Sequence, residues 1–381
     1  MIPVAINFQF QKSTHQMFFL LLLPLCIASH IVLPLDYQFG TFELSIGFGW
    51  TNEPEPMVLN MEADYLWKNQ INLTNDNELQ LQNSSSTKLL INEYTIAQEI
   101  IGTIHIDKDK LVSINNFHFY TIYNVTNEGY NGIPLAYKFT NEKYSLIHAL
   151  YNDNIIQYKS FAFAFDVNYK NEGKFYIGKV FDTQDNFKYS VTFDVDNSFV
   201  NWGTQLRSVI YGNDSYTYNN HSLFQIKFRY SLIPSAFFNH LRDGLFANYI
   251  DNKQCEVSAY MLGKGILCDC NIKKEFPMFK FVFSNNYVIS FTFDEMFEPY
   301  QSKCSLLVRT RKFYLERFVF GLMFLRKFQS VFDYEKKTIT LYSVNPFMKY
   351  SQNKIIMFIM WGVICLLVIQ CVVIAYVKHK S

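Results

Sequence analysis

Glycine is scarce in this chain, with 15 residues among 381. The sequence contains no glycine-rich loop of the kind that holds a phosphate, and no Gly-x-Ser-x-Gly turn for a nucleophilic serine. An excess of charge of one sign is also missing, because 34 basic and 33 acidic residues leave a formal net charge of +1. We therefore expect no nucleic-acid partner. The eight histidines lack the i, i+4 spacing of metal ligands, so we expect neither a metal nor a cofactor.

Aromatic residues are abundant instead, at 18% of the chain, with 38 Phe and 26 Tyr. Such side chains, together with β-branched ones, favour strands over helices. Helical spacing of apolar residues appears only over 142–151 and over 235–250, where Pro234 precedes it. The sequence therefore predicts an all-β protein. Aromatic and β-branched segments, often alternating, predict strands over 42–48, 56–61, 111–123, 161–167, 174–180, 278–283 and 287–293.

Long apolar runs occur near both ends of the chain. Residues 17–29 follow basic residues and end on small residues, which is typical of a cleavable secretory signal, and we assign 1–29 to it. A buried helix is the alternative for this run. Residues 355–377 carry no charge and are long enough to span a bilayer, which leaves 378–381 as a cytosolic tail. Together these runs predict a type I single-pass membrane protein of the secretory pathway, at the cell surface or in an endolysosomal membrane.

Sequons and cysteines fit the same compartment. The candidate glycan acceptors are Asn72, Asn83, Asn124, Asn213 and Asn220. Four of the seven cysteines cluster late in the chain and favour two disulfides in an oxidising lumen. These four are Cys255, Cys268, Cys270 and Cys304, and the sequence leaves their pairing open. A Cys-x-Cys zinc site is the alternative, although it lacks a second ligand pair at metal spacing.

Several fragments, in order, resemble the pepsin-like aspartic peptidases. The most specific fragment is 318–343, where Val-Phe-Gly at 319–321 matches the family's hydrophobic-hydrophobic-Gly turn before a short helix and a strand. Residues 173–180 resemble the family's Gly-x-hydrophobic-x-hydrophobic-Gly strand. The interval from Cys270 to Cys304 is similar to the one closed by its second-lobe disulfide.

This resemblance implies a bilobal pepsin-like fold, in which two pseudo-symmetric β lobes flank a central cleft. The N-terminal lobe is expected over 36–165 and the C-terminal lobe over 166–350, with the C-terminal transmembrane helix after them. In the family, each lobe contributes an Asp-Thr/Ser-Gly turn, and the two carboxyls share one proton. One acid then activates water while the other protonates the substrate carbonyl.

Both acids and both turn glycines are replaced in this chain. Within LNMEADYLW, residues 59–67, the match places Asn60 at the first catalytic Asp and Glu62 at the glycine. In the second lobe it places Lys227 at the catalytic Asp and Arg229 at the glycine. An amide has no proton to exchange at useful pH, and a lysine cation lowers the pKa of a nearby acid. We therefore expect no catalytic residue at these positions, and hypothesise that Glu62 forms an ion pair with Lys227 or Arg229.

Two further positions match the cleft of the family. Trp67 matches the Leu-Trp pair after the first turn, and Tyr94 matches the flap tyrosine. A rival register exists at 193–202, where FDVDNSFVNW imitates the first catalytic motif with Asp194 or Asp196 as the acid. This register is the weaker one, because an aspartate occupies the glycine position and the segment follows strands that should come after the first site.

The resemblance and the replacements together imply a catalytically inactive, membrane-anchored member of the family. An extended peptide or protein ligand could still bind in the cleft, because strand-like pairing uses backbone groups rather than acids. One alternative is an active aspartic endopeptidase with a non-standard arrangement, in which Glu62 or Asp64 supplies an acid. The other is an unrelated all-β surface receptor or adhesion glycoprotein.

Overall fold

The computed structural model describes most of the chain between residues 30 and 349. The described segments are 30–38, 41–48, 55–61, 67–69, 88–92, 95–106, 112–123, 132–139, 141–165, 172–179, 189–260, 263–274, 276–310, 316–343 and 348–349. The predicted signal peptide at 1–29, membrane span at 355–377 and tail at 378–381 lie outside these segments. Within them, no helix combines the length and the apolar character needed to cross a bilayer.

Strands dominate the described residues, as the aromatic and β-branched composition predicts. The earlier strands are β1 (Ile31–Gln38), β2 (Thr41–Phe48), β3 (Glu55–Asn60), β4 (Trp67–Asn69), β5 (Lys88–Asn92), β6 (Thr95–His105), β7 (Ser113–Tyr123), β8 (Gly132–Pro134), β9 (Ser160–Phe165), β10 (Glu172–Ile177) and β11 (Tyr189–Asp194). The later strands are β12 (Gly203–Tyr211), β13 (Asp214–Phe224), β14 (Ser231–Leu232), β15 (Cys255–Tyr260), β16 (Gly263–Cys268), β17 (Phe279–Phe283), β18 (Tyr287–Phe291), β19 (Phe297–Tyr300), β20 (Lys303–Leu306), β21 (Val308–Arg309), β22 (Phe318–Phe320), β23 (Gln329–Asp333), β24 (Thr338–Ser343) and β25 (Met348–Lys349). Every segment predicted as a strand coincides with one of them.

The helices are short. They are α1 (Leu146–Asn152), α2 (Ser235–Asp243), α3 (Ala247–Asp251), α4 (Phe293–Met296) and α5 (Leu322–Leu325), and 3₁₀ turns span Glu142–Tyr144 and Cys270–Lys274. Each of the two segments predicted as helical, 142–151 and 235–250, is interrupted. Ser145 keeps an extended backbone between a 3₁₀ turn and α1, because its hydroxyl accepts the His148 N–H and so caps α1. Gly244 ends α2 before α3 begins.

Three sheets contain these strands. The largest has thirteen strands in the order β11–β24–β23–β9–β10–β1–β2–β3–β8–β4–β7–β6–β5, so that strands from the start, middle and end of the chain lie side by side. An eight-stranded sheet has the order β21–β14–β22–β13–β12–β17–β18–β25. A four-stranded sheet has the order β15–β16–β20–β19. The lobe boundaries expected at 36–165 and 166–350 remain predictions.

An aromatic cluster around the fully buried Trp202 joins residues from both predicted lobes. The Trp202 indole N–H donates to the Leu135 carbonyl at 2.7 Å. Its ring packs edge-on against Phe161, Phe332 and Tyr334, with centroid distances of 5.5, 5.2 and 4.9 Å. Aromatic contacts of this kind contribute about 0.5–1.5 kcal/mol each beyond the burial of the rings. Segments that are distant in sequence are therefore held in one core.

Both expected disulfides lie in the four-stranded sheet or beside it. Cys255 on β15 pairs with Cys268 on β16, and Cys270 pairs with Cys304 on β20. The expectation of two disulfides is confirmed. Spacing alone left their pairing open, and the Cys270–Cys304 bond is the one that the resemblance implied. The zinc alternative is wrong, because all four thiols are oxidised. Cys268 and Cys304 are also cross-strand neighbours, so both bonds reinforce one end of this sheet.

Candidate functional site

One strand arrangement occurs twice, once in each of the two larger sheets. In the first copy, β3 runs parallel to β8, β8 pairs with β4 in the antiparallel sense, and β4 runs parallel to β7. In the second copy, β13, β22, β14 and β21 repeat the same series of parallel, antiparallel and parallel pairings. The end of β3 and the loop after β13 are therefore equivalent places in two related halves. They carry the two dyad positions predicted from the sequence.

Residues 225–230 connect β13 to β14 and form a turn whose backbone is held on two sides. The Gln225 N–H donates to the carbonyl of Phe320, the last residue of β22, at 2.9 Å. The N–H of Leu322, the first residue of α5, donates to the Phe228 carbonyl at 2.7 Å. The turn is thus fixed between the end of one strand and the start of one helix.

Gly321 allows this close approach. A Cβ atom on Gly321 would lie 2.2 Å from the Tyr230 carbonyl oxygen and 2.6 Å from that of Phe228. Only a residue without a side chain fits there, and this steric limit explains why the hydrophobic-hydrophobic-Gly turn has a glycine at this position. The Gly321 N–H also donates to the buried Ser231 hydroxyl at 3.1 Å. The backbone framework around the second dyad position is therefore tightly packed.

The turn presents two cations where the resemblance expects an acid and a glycine. Lys227 Nζ lies 5.2 Å from the centre of the Phe228 ring. Arg229 forms an ion pair with Glu298 on β19, with Nε at 3.0 Å and Nη2 at 2.7 Å from the same carboxylate oxygen. The Glu298 side chain is 14% exposed and the Arg229 side chain 47% exposed. Arg229 therefore faces solvent while its counter-ion is mostly buried.

Glu298 is one partner of Arg229, and the hypothesised ion pair of Glu62 with Lys227 or Arg229 stays a prediction. Glu62 lies outside the described residues, whereas Glu298 is 69 positions from Arg229 along the chain. No spacing rule connects a turn of one sheet to the edge strand of another, so the sequence carried no signal for this pair. Arg309 was not predicted from the sequence, and its guanidinium carbon lies 4.3 Å from the centre of the Tyr230 ring. Arg309 brings a third cation to the turn.

The first dyad position lies at the end of β3. Asn60 is partly buried, and its carbonyl accepts the Leu135 N–H at 2.8 Å. Trp67 begins β4, where it is paired through the backbone with Tyr120 and Gly132. The other residues singled out in this half, Glu62, Asp64 and Tyr94, lie outside the described residues.

Comparison with known proteins identifies the family. The model of the family described as eukaryotic aspartyl protease matches residues 91–344 of this chain. The chain belongs to this family. The recognition made from the sequence motifs is confirmed, and the alternative of an unrelated all-β receptor or adhesion glycoprotein is wrong.

Among solved structures, the aspartic proteinase from Irpex lacteus is similar to this aspartyl protease family member, with a TM-score of 0.63 and 13% sequence identity. The likeness covers 82% of this chain and 97% of that chain. At such low identity it bears on the fold alone, and it confirms the mostly β, pepsin-like architecture. No curated protein sequence matches the chain.

The rival register at 193–202 does not resemble an aspartyl protease dyad. Asp196 Oδ1 accepts the Ser198 N–H at 2.8 Å, and its Oδ2 contacts His221 Nδ1. Burial acts to raise the pKa of Asp196, but the hydrogen bonds from Ser198 and the charge of His221 bring that pKa below its usual value. An acid held ionised in this way is unsuited to sharing a proton with a second carboxyl. Asp196 is a turn residue with polar partners.

Other candidate residues are distributed as follows. Asn213 follows Gly212 between β12 and β13, Asn220 lies on β13, and both are exposed. The remaining sequons, Asn72, Asn83 and Asn124, lie outside the described residues. Within the described segments, no group of three or more His, Cys, Asp or Glu side chains is arranged to hold a metal ion.

Proposed function

We propose that this member of the aspartyl protease family is catalytically inactive and binds an extended peptide or protein segment in the cleft between its lobes. The observation that carries the proposal is the turn at 225–230. There, Lys227 and Arg229 stand at the places of an acid and a glycine, and Arg229 already has a counter-ion in Glu298. The turn is thus a stable arrangement of its own rather than a damaged copy of a catalytic one.

The chemistry of these residues supports inactivity. Aspartic proteolysis needs two adjacent carboxyls that hold one proton between them, so that one is a base and the other an acid. The Lys227 ammonium favours the ionised form of any carboxyl that approaches it and so lowers its pKa. The Asn60 amide neither takes nor gives a proton at useful pH. Neither position can supply its half of the dyad.

Peptide binding does not depend on the missing acids. An extended segment pairs with a protein edge through backbone N–H and carbonyl groups, and side-chain pockets give it specificity. The packing of Gly321 against the Tyr230 and Phe228 carbonyls keeps the turn rigid. A rigid turn favours binding because less conformational entropy is lost when the ligand binds.

We further propose that residues 355–377 anchor the protein in a membrane of the secretory pathway, at the cell surface or in an endolysosomal compartment. The uncharged run and the exposed sequons at Asn213 and Asn220 support this placement. Alkaline carbonate extraction should leave the protein in the membrane pellet, and a glycosidase specific for N-linked glycans should lower its apparent mass. Release into the supernatant would contradict the anchor, and an unchanged mass would contradict the glycans.

The proteolysis test uses the full-length protein in detergent micelles. The protein is incubated with a peptide library from about pH 3 to about pH 7, the range in which carboxyl pairs titrate. A working aspartic peptidase run in parallel shows that the library can be cleaved. We expect no cleavage products above those of the library alone.

The alternative of an active endopeptidase predicts a different result. It requires reproducible cleavage that is lost in Glu62→Gln or Asp64→Asn, because these residues are the acids closest in sequence to the first dyad position. Such cleavage would refute the inactive assignment. Cleavage that persists in both variants and disappears when the protein is purified further would instead indicate a contaminating peptidase.

A further inference from the structure

We infer that Cys270 is the entry point of a thiol exchange that moves the cross-link of β16 from Cys255 on β15 to Cys304 on β20, with a dithiol as the reductant. This inference does not depend on the function proposed for the cleft, because it concerns the four-stranded sheet and its two disulfides alone.

The four cysteines differ in their access to solvent. Cys255, Cys268 and Cys304 are buried, with 2%, 0% and 6% of their surfaces exposed. Cys270, the first residue of the 3₁₀ turn Cys270–Lys274, is exposed. The rate at which a thiolate attacks a disulfide depends on access to the sulfur that it attacks. The Cys270–Cys304 bond is therefore attacked at its Cys270 end, whereas the Cys255–Cys268 bond is protected at both ends.

The three buried cysteines form one row across the sheet. Cys255 lies directly opposite Cys268, and Cys268 lies directly opposite Cys304. Directly opposite residues of antiparallel strands share a face of the sheet, with Cα atoms about 4.5–5.5 Å apart. Disulfides join cysteines whose Cα atoms are about 4.4–6.8 Å apart. Cys268 and Cys304 thus lie within the separation that a disulfide needs, and no strand has to move for them to bond.

The exchange consists of two successive attacks within this group. A thiolate of the dithiol attacks Cys270 Sγ and forms a mixed disulfide there, and Cys304 leaves as a thiolate. The Cys304 thiolate then attacks Cys268 Sγ. The Cys268–Cys304 bond forms, the Cys255–Cys268 bond breaks, and Cys255 leaves as a thiolate that takes a proton from solvent.

The second thiol of the dithiol completes the electron balance. Its thiolate attacks the dithiol's own sulfur in the mixed disulfide, so the dithiol becomes a cyclic disulfide and Cys270 leaves as a thiolate that takes a proton. Two electrons have then passed from the dithiol to the protein. One of the two protein disulfides has been reduced to the thiols of Cys255 and Cys270, and the remaining one has changed partners.

The exchange changes which strands are covalently joined. The described four-stranded sheet has the order β15–β16–β20–β19, so β15 is one of its edges. Before the exchange the Cys255–Cys268 bond ties β15 to β16, and afterwards the Cys268–Cys304 bond ties β16 to β20. An edge strand with neighbours on one side only has fewer contacts to hold it than an inner strand. The edge strand β15 thereby loses its covalent link to the sheet.

The test is disulfide mapping of the full-length protein in detergent micelles after limited treatment with dithiothreitol at about pH 8, where a thiol is partly ionised. The reaction is stopped with acid, free thiols are alkylated under denaturing conditions, and the peptides are identified by mass spectrometry. We expect a Cys268–Cys304 cross-link, with alkylated Cys255, in at least about one of ten singly reduced molecules, because one cross-strand bond replaces another.

Two variants that lose the same disulfide control for each other. Cys304→Ser removes the thiolate that would attack Cys268, so the Cys255 thiol should appear about tenfold more slowly than in the wild type. Cys270→Ser instead leaves Cys304 with a thiol, so the Cys268–Cys304 cross-link should form without any reductant. Both variants lack the Cys270–Cys304 bond, so a difference between them does not come from the loss of stability that they share.

Three outcomes would overturn the inference. In the first, wild-type protein retains the Cys255–Cys268 bond in every molecule that has Cys270 and Cys304 thiols. In the second, the Cys255 and Cys268 thiols appear before the Cys270 thiol, so the entry point is wrong. In the third, the Cys255 thiol appears equally fast in Cys304→Ser and in the wild type, which would mean that the reductant reaches the buried bond directly.

Discussion

Replacing Gly321 by alanine should destabilise the protein strongly. The added methyl group would lie 2.2 Å from the Tyr230 carbonyl oxygen, 2.6 Å from the Phe228 carbonyl oxygen and 2.8 Å from the Tyr230 carbonyl carbon. All three are backbone atoms, so no flexible side chain can move aside. The turn and the start of α5 would have to separate by about 1 Å to restore ordinary contact distances.

The expected cost follows from two terms. Forcing a methyl group into a filled site costs about 1–3 kcal/mol. Separating the turn also weakens the bonds from Leu322 N–H to the Phe228 carbonyl and from Gly321 N–H to the Ser231 hydroxyl, at about 1 kcal/mol each. The sum is about 3–5 kcal/mol in the free energy of unfolding. In a chain of 381 residues, with an unfolding entropy of about 2.1 cal/mol/K per residue, that lowers Tm by about 4–6 °C.

Thermal unfolding followed by circular dichroism measures this change. Gly47→Ala is the matched control, because a Cβ there would lie 3.4 Å from the nearest atom, His105 Cβ, which is ordinary contact. The control should have an unchanged or slightly higher Tm, since alanine restricts the unfolded chain. A Gly321→Ala protein that melts within about 2 °C of the wild type would refute the claim that the turn is clamped.

Three further perturbations test the packing around the site. Gln225 is fully buried, and neither of its side-chain amide atoms has a hydrogen-bond partner among the described residues. Gln225→Met should therefore raise the free energy of unfolding, measured by denaturant titration, by about 1–2 kcal/mol. A variant that is less stable than the wild type would refute this prediction. Burial lowers the pKa of His148 in the folded protein below its value in the unfolded chain, so the folded state loses stability as the pH falls below about 6.5. His148→Phe should therefore lessen the drop in Tm between about pH 7 and about pH 5. An equal drop in the variant and the wild type would contradict this prediction. The Cys270–Cys304 bond joins residues 34 positions apart. Changing both cysteines to serine should lower the free energy of unfolding by about 3–4 kcal/mol, and a decrease below about 1 kcal/mol would contradict this prediction.

The strands were predictable because their side chains carry a local signal. Segments such as 161–167 and 278–283 combine aromatic residues with alternation, and both coincide with strands. The helices were predictable in place but not in continuity. The break at Ser145 depends on one hydroxyl that accepts the His148 N–H, and the break after α2 occurs at Gly244. Each break involves a single residue, whereas the periodicity that indicates a helix is read over many residues.

The site was only partly predictable, for a different reason. The family turn at 319–321 could be recognised because it is contiguous in sequence. The partner of Arg229 could not, since Glu298 comes from a strand of another sheet and is brought close only by tertiary packing. Four cysteines allow three pairings and spacing does not choose among them, so the Cys270–Cys304 bond was predictable only through the resemblance to the family.

The ion pair between Arg229 and Glu298 disfavours a pair of proton-sharing acids at this turn. An acid introduced in place of Lys227 would lie two residues from the Arg229 guanidinium, which would favour its ionised form. Removing the guanidinium alone would leave a mostly buried carboxylate without its counter-charge. A proton-sharing pair of acids at this turn would therefore need several coordinated substitutions, each unfavourable until the others are present.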